Sequence, residues 1–266
     1  MRPRTPTSPS PAPRHEWLYA LPEGQLPTQV TCAGQRFEHV RTFKHDFFAA
    51  TGLYRGPDGL AVLKMGRQNE FMTIPADWIG AFLTRREVRI YELLQDVSGV
   101  PRLIGTVGPN GFLHEFVPGH PLARDERVSD TFFDELLAMI ETLHARHLAY
   151  VDLNKRQNVL MGDDGKPYLI DFQIALHLPP LGWRRLQPVQ WLLQRFQHGD
   201  RYHWLKHKRR LRPDLLSDAE RAEVERLSIW IRLHRRLTRP LTSLRRHALK
   251  RLGRSETAEV AGSSAK

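Results

Sequence analysis

Asp152, Asn158 and Asp171 stand close together in AYVDLNKRQNVLMGDDGKPYLIDFQIAL, residues 149–176, among apolar runs rather than in a polar loop. The runs VLM and PYLI are separated by GDDGK and pair as an antiparallel hairpin. Asn158 immediately precedes the first run and Asp171 follows the second, so both side chains emerge at the same end of the hairpin. An amide carbonyl beside a carboxylate is a hard oxygen site, suited to Mg²⁺ or Mn²⁺ rather than zinc. Asp152, placed at the end of a preceding helix, can face the same spot and orient an attacking hydroxyl. A carboxylate for a hydroxyl and an Asn/Asp pair for a metal are the minimum equipment for phosphoryl transfer from a metal-bound nucleotide. Asp163 and Asp164 read as turn residues. His203 and His207 have the i, i+4 spacing of a metal pair but lack a third ligand, so they read as surface or substrate-facing groups.

The surrounding pattern predicts the elements that position these residues. A strand near 40–44 precedes two runs around GPDG (Gly56–Gly59), which read as a hairpin. A helix follows over 76–97, with Ile79, Phe82, Leu83, Ile90 and Leu93 or Leu94 spaced for one face. Two short strands flank GPNG (residues 108–111). A longer helix then carries Phe132, Phe133, Leu136, Leu137, Ile140 and Leu143 on its apolar side. The order predicts an α+β chain with a small β-rich lobe over 37–117 and a larger helical lobe over 118–254. Residues 1–36, rich in Pro, Ser and Arg at their start, read as a flexible lead-in, and 255–266 as a flexible tail. The seam between two lobes is a usual place for a ligand.

In this order and spacing, residues 37–180 resemble the protein-kinase-like superfamily, in which an Asp…Asn catalytic loop precedes a hairpin ending in Asp-Phe-Gly. The resemblance implies a two-lobed fold, ATP as phosphoryl donor and Mg²⁺ or Mn²⁺ held by Asn158 and Asp171. It makes Lys64, in LAVLKMGR, the lysine that contacts the nucleotide phosphates, with Glu87 of RREVRIYELL as its partner. HEFVPG places Glu115, Phe116 and Val117 at the hinge where backbone groups bind adenine. Ala49, Ala50 and Thr51 stand where backbone N–H groups would grip phosphate, although no GxGxxG is present. Asp152 becomes the residue that takes the hydroxyl proton, and Lys155 or Arg156 steadies the γ-phosphate. The chain departs from the family in four other places. Tyr150-Val151 replaces His-Arg, Asn158 lies one residue further from Asp152 than the pattern has it, Gln173 replaces the Gly of Asp-Phe-Gly, and no Ala-Pro-Glu segment follows. The departures fit best with bacterial lipopolysaccharide-core sugar kinases and RIO-type kinases.

Composition bears on the acceptor. The chain has 266 residues and a net charge of +11. Residues 181–254 carry 20 Lys/Arg against 6 Asp/Glu, a balance of +14 that holds most of the basic character. Such a segment meets phosphate on lipid, glycolipid or nucleic acid. No zinc finger or RNP aromatic motif accompanies it, so nucleic acid ranks third. Its last part, 227–254, reads equally as a helix packed on the large lobe or as one lying on an anionic membrane. An anionic glycolipid is the first expectation for the acceptor and a protein Ser/Thr the second. A catalytically inactive scaffold that binds nucleotide or partners is a third reading of another class. The single cysteine, Cys32, excludes an internal disulfide and favours a reducing compartment. No apolar run reaches the ~18–20 residues of a membrane span. The expected location is cytoplasmic, with peripheral contact at the inner face of the membrane.

Overall fold

The computed structural model describes residues 20–21, 24–45, 48–68 and 77–225. The chain is an α+β protein that divides into two compact units, 1–207 and 208–266. The first unit begins with strands β1 (Gln29–Cys32), β2 (Gln35–His45), β3 (Ala49–Gly56) and β4 (Gly59–Gly66). Helix α1 (Asp77–Leu93) follows, then β5 (Leu103–Val107) and β6 (Gly111–Glu115). These six strands form one antiparallel sheet in the order β1-β2-β3-β4-β6-β5. The sheet curls until β1 meets β5. At that closure a Cβ on Gly105 would stand 2.8 Å from Cys32 Sγ, so the approach of the two strands requires a glycine there.

Strand β1 lies inside the segment predicted to be a flexible lead-in, which corrects that boundary. Val30 and Cys32 point into the sheet's core with Phe37, Tyr54 and Leu63, while their neighbours face water. Ala33 and Gly34 both have positive φ (49° and 78°), the two-residue turn that joins closely twisted strands. Ala-Gly is a weaker sequence signal for that turn than Asn-Gly, which is why the strand was not legible. Residues 1–19, the tail 255–266 and the basic run 227–254 lie outside the described residues.

The predicted hairpins around 56–59 and 108–111 both form, as β3–β4 and β5–β6. The inward face of α1 differs from the predicted one. Ile90 and Leu94 are buried as predicted, but Ala81, Thr84, Glu87, Val88 and Tyr91 join them inward, and Phe82 faces water. An inward stripe containing Thr and Glu is invisible to a count of apolar residues.

After β6 the first unit is mixed rather than simply helical. Helix α2 (Phe132–Ala145) buries Phe132, Phe133, Leu136, Met139, Ile140 and Leu143, close to the predicted face. Strand β7 (Gly119–Pro121) joins β9 (Val159–Gly162) and β10 (Pro167–Leu169) in a small sheet, and β8 (Leu148–Ala149) pairs with β11 (Leu176–His177). Helix α3 spans Gln187–Leu211. In the second unit, Lys208 Nζ donates to Glu220 Oε1 at 2.9 Å, and the Ser217 N–H donates to Glu220 Oε2 at 2.8 Å. No helix among the described residues is long and apolar enough to cross a membrane.

Candidate functional site

Strand β4 carries Lys64 and α1 carries Glu87, while Asp171 follows β10. Lys64 Nζ donates to Glu87 Oε1 at 2.8 Å and to Asp171 Oδ1 at 2.7 Å. The same Glu87 oxygen accepts the Phe172 N–H at 3.1 Å, tying α1 to the segment after β10. Glu87 is 2 % exposed. Burial alone would pull the Lys64 ammonium down, but Glu87 and Asp171 outweigh it and hold its pKa above the usual lysine value. Burial pushes the Glu87 carboxyl up, against the pull of Lys64. Asp171 is also penalised by burial, yet Lys64 keeps it below the usual carboxylate value. One cation thus lies between two carboxylates, and both of its partners are in hydrogen-bond contact with it.

A cavity of about 620 Å³ opens beside this group. Val62, Val117, Leu160 and Ile170 give it apolar walls, and Lys64, Asn158 and Asp171 supply polar lining, as do Arg41 and Lys44. Phe116 and Thr51 border it as well. A slot with this division suits a flat heteroaromatic ring continued by phosphates. His114 also lines it, stacked on Tyr91 with ring centroids 5.4 Å apart. Burial takes the His114 pKa down to about 4, so its ring is neutral at pH 7.

Asp152 lies in the loop after β8, past the end of α2 rather than on it, which corrects its predicted placement. Its Oδ2 accepts Lys155 Nζ at 2.6 Å and Asn158 Nδ2 at 3.0 Å. Because the Asn158 nitrogen is spent on Asp152, its carbonyl oxygen is the end left for a cation. Lys155 is thus paired with the carboxylate beside it, and Arg156 Nη1 is buried without a hydrogen-bond partner among the described residues.

Two features of the loop's support were not read from the sequence. Asp200 on α3 is fully buried and accepts the N–H groups of Tyr150 and Val151, both at 2.7 Å, together with His144 Nε2 at 3.1 Å. Val151 has φ +72°, a costly conformation for a β-branched residue, and the Asp200 bond holds it there. The second feature is a run of aromatic contacts. Phe172 meets Tyr91 of α1 at 5.1 Å and Tyr150 at 5.3 Å, each edge-on. Tyr150 donates its hydroxyl to the Ile170 carbonyl. The tyrosine at this position therefore couples the loop to the segment between β10 and Asp171. His207 Nε2 donates to the Leu153 carbonyl at 2.8 Å, and burial takes the His203 pKa down to about 4, so neither behaves as a surface histidine.

The structure thus brings Lys64, Glu87 and Asp171 into direct contact, and Asp152, Lys155 and Asn158 likewise. Phe116, Val117 and Thr51 reach the cavity. Ala49 and Ala50 do not contribute as expected. Ala49–Thr51 pair along β4, and Ala50 and Thr51 also along β2, so backbone groups assigned to gripping phosphate belong to a sheet ladder. Ala50 is packed in the core, and Ala49 borders a separate small recess behind Lys64. The Glu115 side chain turns to the surface beside Arg102 Nε at 3.1 Å. Among the described residues no three His, Cys, Asp or Glu side chains could enclose a metal. Asn158 and Asp171 both line the cavity and carry oxygens of the hard type that a divalent cation takes.

The chain matches no family model and no curated protein.

Proposed function

We propose that the chain is a two-lobed, protein-kinase-like phosphotransferase that moves the γ-phosphoryl of ATP to a hydroxyl, with a sugar of an anionic lipopolysaccharide-core-like glycolipid as acceptor. The observation that carries the reading is the Lys64 ammonium clamped between Glu87 and Asp171 on the wall of a largely apolar cavity. Asn158, which lines the same cavity, is joined to Asp152.

In this reading the adenine lies between Val62, Val117, Leu160 and Ile170, against backbone of residues 115–117. Lys64 neutralises the phosphates, and Glu87 holds Lys64 in place. Asn158 and Asp171 hold Mg²⁺ or Mn²⁺, which when bound neutralises phosphate charge and fixes its orientation. Asp152 accepts the acceptor's proton as its oxygen forms a bond to the γ-phosphorus. The bond from that phosphorus to the bridging β–γ oxygen breaks, and ADP leaves. Lys155, released from Asp152, steadies the transferred group. Positioning and charge neutralisation supply the acceleration, since the transferred phosphoryl needs little covalent help.

The test is transfer of γ-labelled phosphate from ATP to fractionated bacterial envelope, with glycolipid and protein pools separated and Asp152→Asn as control. Label in the glycolipid pool that disappears with the variant is the expected result. Label in protein alone would replace the glycolipid with a Ser/Thr acceptor. Transfer to neither pool, with nucleotide bound, would leave a scaffold.

A further inference from the structure

The first half of α3 and the turn before it, Gly182–Arg185, present large apolar side chains to water. Leu181, Trp183, Leu186, Trp191, Leu192 and Phe196 are all exposed, the two tryptophans at 65 % and 64 %. On the helix, Trp191, Leu192, Arg195 and Phe196 stand at i, i+1, i+4 and i+5 and share one face. The opposite face is the packed one, with Leu193 and Asp200 buried. This helix therefore turns apolar groups both inward and outward, which a helix resting only on its own domain has no reason to do.

Charge identifies the occupant of this face. No Asp or Glu occurs between Asp171 and Asp200, whereas Arg184, Arg185 and Arg195 do. None of the three arginines pairs with a carboxylate among the described residues. Arg184 lies over the Trp183 ring at 5.8 Å, and Arg185 Nε donates to the Pro180 carbonyl at 2.9 Å, so both stay beside the apolar groups. Exposed tryptophans mixed with arginine and leucine, with no acid among them, match the boundary between anionic headgroups and acyl chains. The chain's own segment 227–254 is a poor occupant. It carries nine Lys/Arg and no Asp/Glu, and would meet the arginines of the face with like charge.

We infer that the face formed by Leu181–Leu186 and the outer side of α3 from Trp191 to Phe196 docks on an anionic lipid bilayer, with Trp183 and Trp191 entering the headgroup region. Phe196 precedes Asp200 by about one helical turn, ~6 Å along the axis. Docking would bring the residue that holds the loop of Asp152 close to the lipid surface. The inference stands on exposure and charge and does not need the phosphotransfer reading.

The test is co-sedimentation of the full chain with phosphatidylcholine vesicles, with and without phosphatidylglycerol, over a salt series. It is run on wild type, Trp183→Gln/Trp191→Gln and Arg184→Gln/Arg185→Gln/Arg195→Gln, all checked for unchanged melting. Wild type is expected to bind only the anionic vesicles, less so as salt rises. The tryptophan variant should bind about tenfold more weakly or worse at every salt concentration, and the arginine variant should lose much of the salt dependence. Two results would overturn the inference: no binding of wild type to anionic vesicles, or tryptophan and arginine variants that bind as wild type does. A third would assign the face to a second copy of the chain, namely wild type that self-associates in light scattering without binding vesicles, and a tryptophan variant that is monomeric.

Discussion

Replacing Asp200 with alanine removes the acceptor for two backbone N–H groups, one buried and one partly buried. Hydrogen bonds to a charged group contribute about 1.5–3 kcal/mol each, so losing the Tyr150 and Val151 bonds should cost about 3–6 kcal/mol. For a domain of this size about 1 kcal/mol corresponds to ~2–4 °C in Tm, so the melting temperature should fall by about 6–24 °C. The functional loss follows from Val151. Without the Asp200 bond nothing offsets its positive φ, and relaxation of that residue moves the neighbouring Asp152. A displacement of about 1 Å at a reacting group costs on the order of 10²-fold in rate. Asp200→Asn keeps one acceptor oxygen but turns an NH₂ toward the other N–H, so it should lie between wild type and alanine in both readouts. The assay is differential scanning calorimetry beside phosphate transfer at a temperature where each variant is folded. An Asp200→Ala protein that melts and transfers as wild type does would refute the claim that this carboxylate holds the loop.

Acid should destabilise the protein through His114. Its folded pKa of about 4 lies below the unfolded value of 6.5, so the unfolded chain binds more protons in that window. Stability therefore falls as pH drops through it, by about 2 kcal/mol between pH 7 and pH 5 for this one group, and urea unfolding of His114→Gln should show a correspondingly shallower loss. Glu87→Gln keeps an oxygen for the Lys64 and Phe172 donors but removes the charge, so stability should change by less than about 1 kcal/mol. Its transfer rate should nevertheless fall about tenfold as Lys64 shifts toward Asp171, read by steady-state kinetics. Asp171→Asn removes a charged metal ligand, and titration of activity against Mg²⁺ should show the half-saturating concentration rising by about tenfold or more.

The hairpins and the approach of Asn158 to Asp152 were legible because their signals are local. GPDG, GPNG and GDDGK each mark a turn between apolar runs, and a hairpin brings its own ends together whatever surrounds it. Lys64 and Glu87 were legible only through the order in which they occur, since the contact between them depends on how α1 lies on the sheet. What was missed is non-local. Phe82 is as apolar as Tyr91, and the side of α1 that turns inward is the one where Glu87 meets Lys64 on the sheet. Asp200 gave one usable sign, a carboxylate between Leu193 and Trp204 at helical spacing on a buried stripe. Its partners are backbone N–H groups some fifty residues earlier, which carry no sequence identity to read. The outward face of α3 was hidden for a related reason. Charge counting over 181–254 showed a basic segment without showing that its tryptophans and leucines at 183–196 face water.

The most direct measurement is equilibrium binding of ATP by calorimetry, with and without Mg²⁺, to wild type and Lys64→Ala. The expected result is binding that strengthens when Mg²⁺ is present and weakens about tenfold or more in the variant, because Lys64 lines the cavity beside Asp171. No binding by wild type, or binding indifferent to both Mg²⁺ and Lys64, would contradict the assignment of this cavity to a nucleotide.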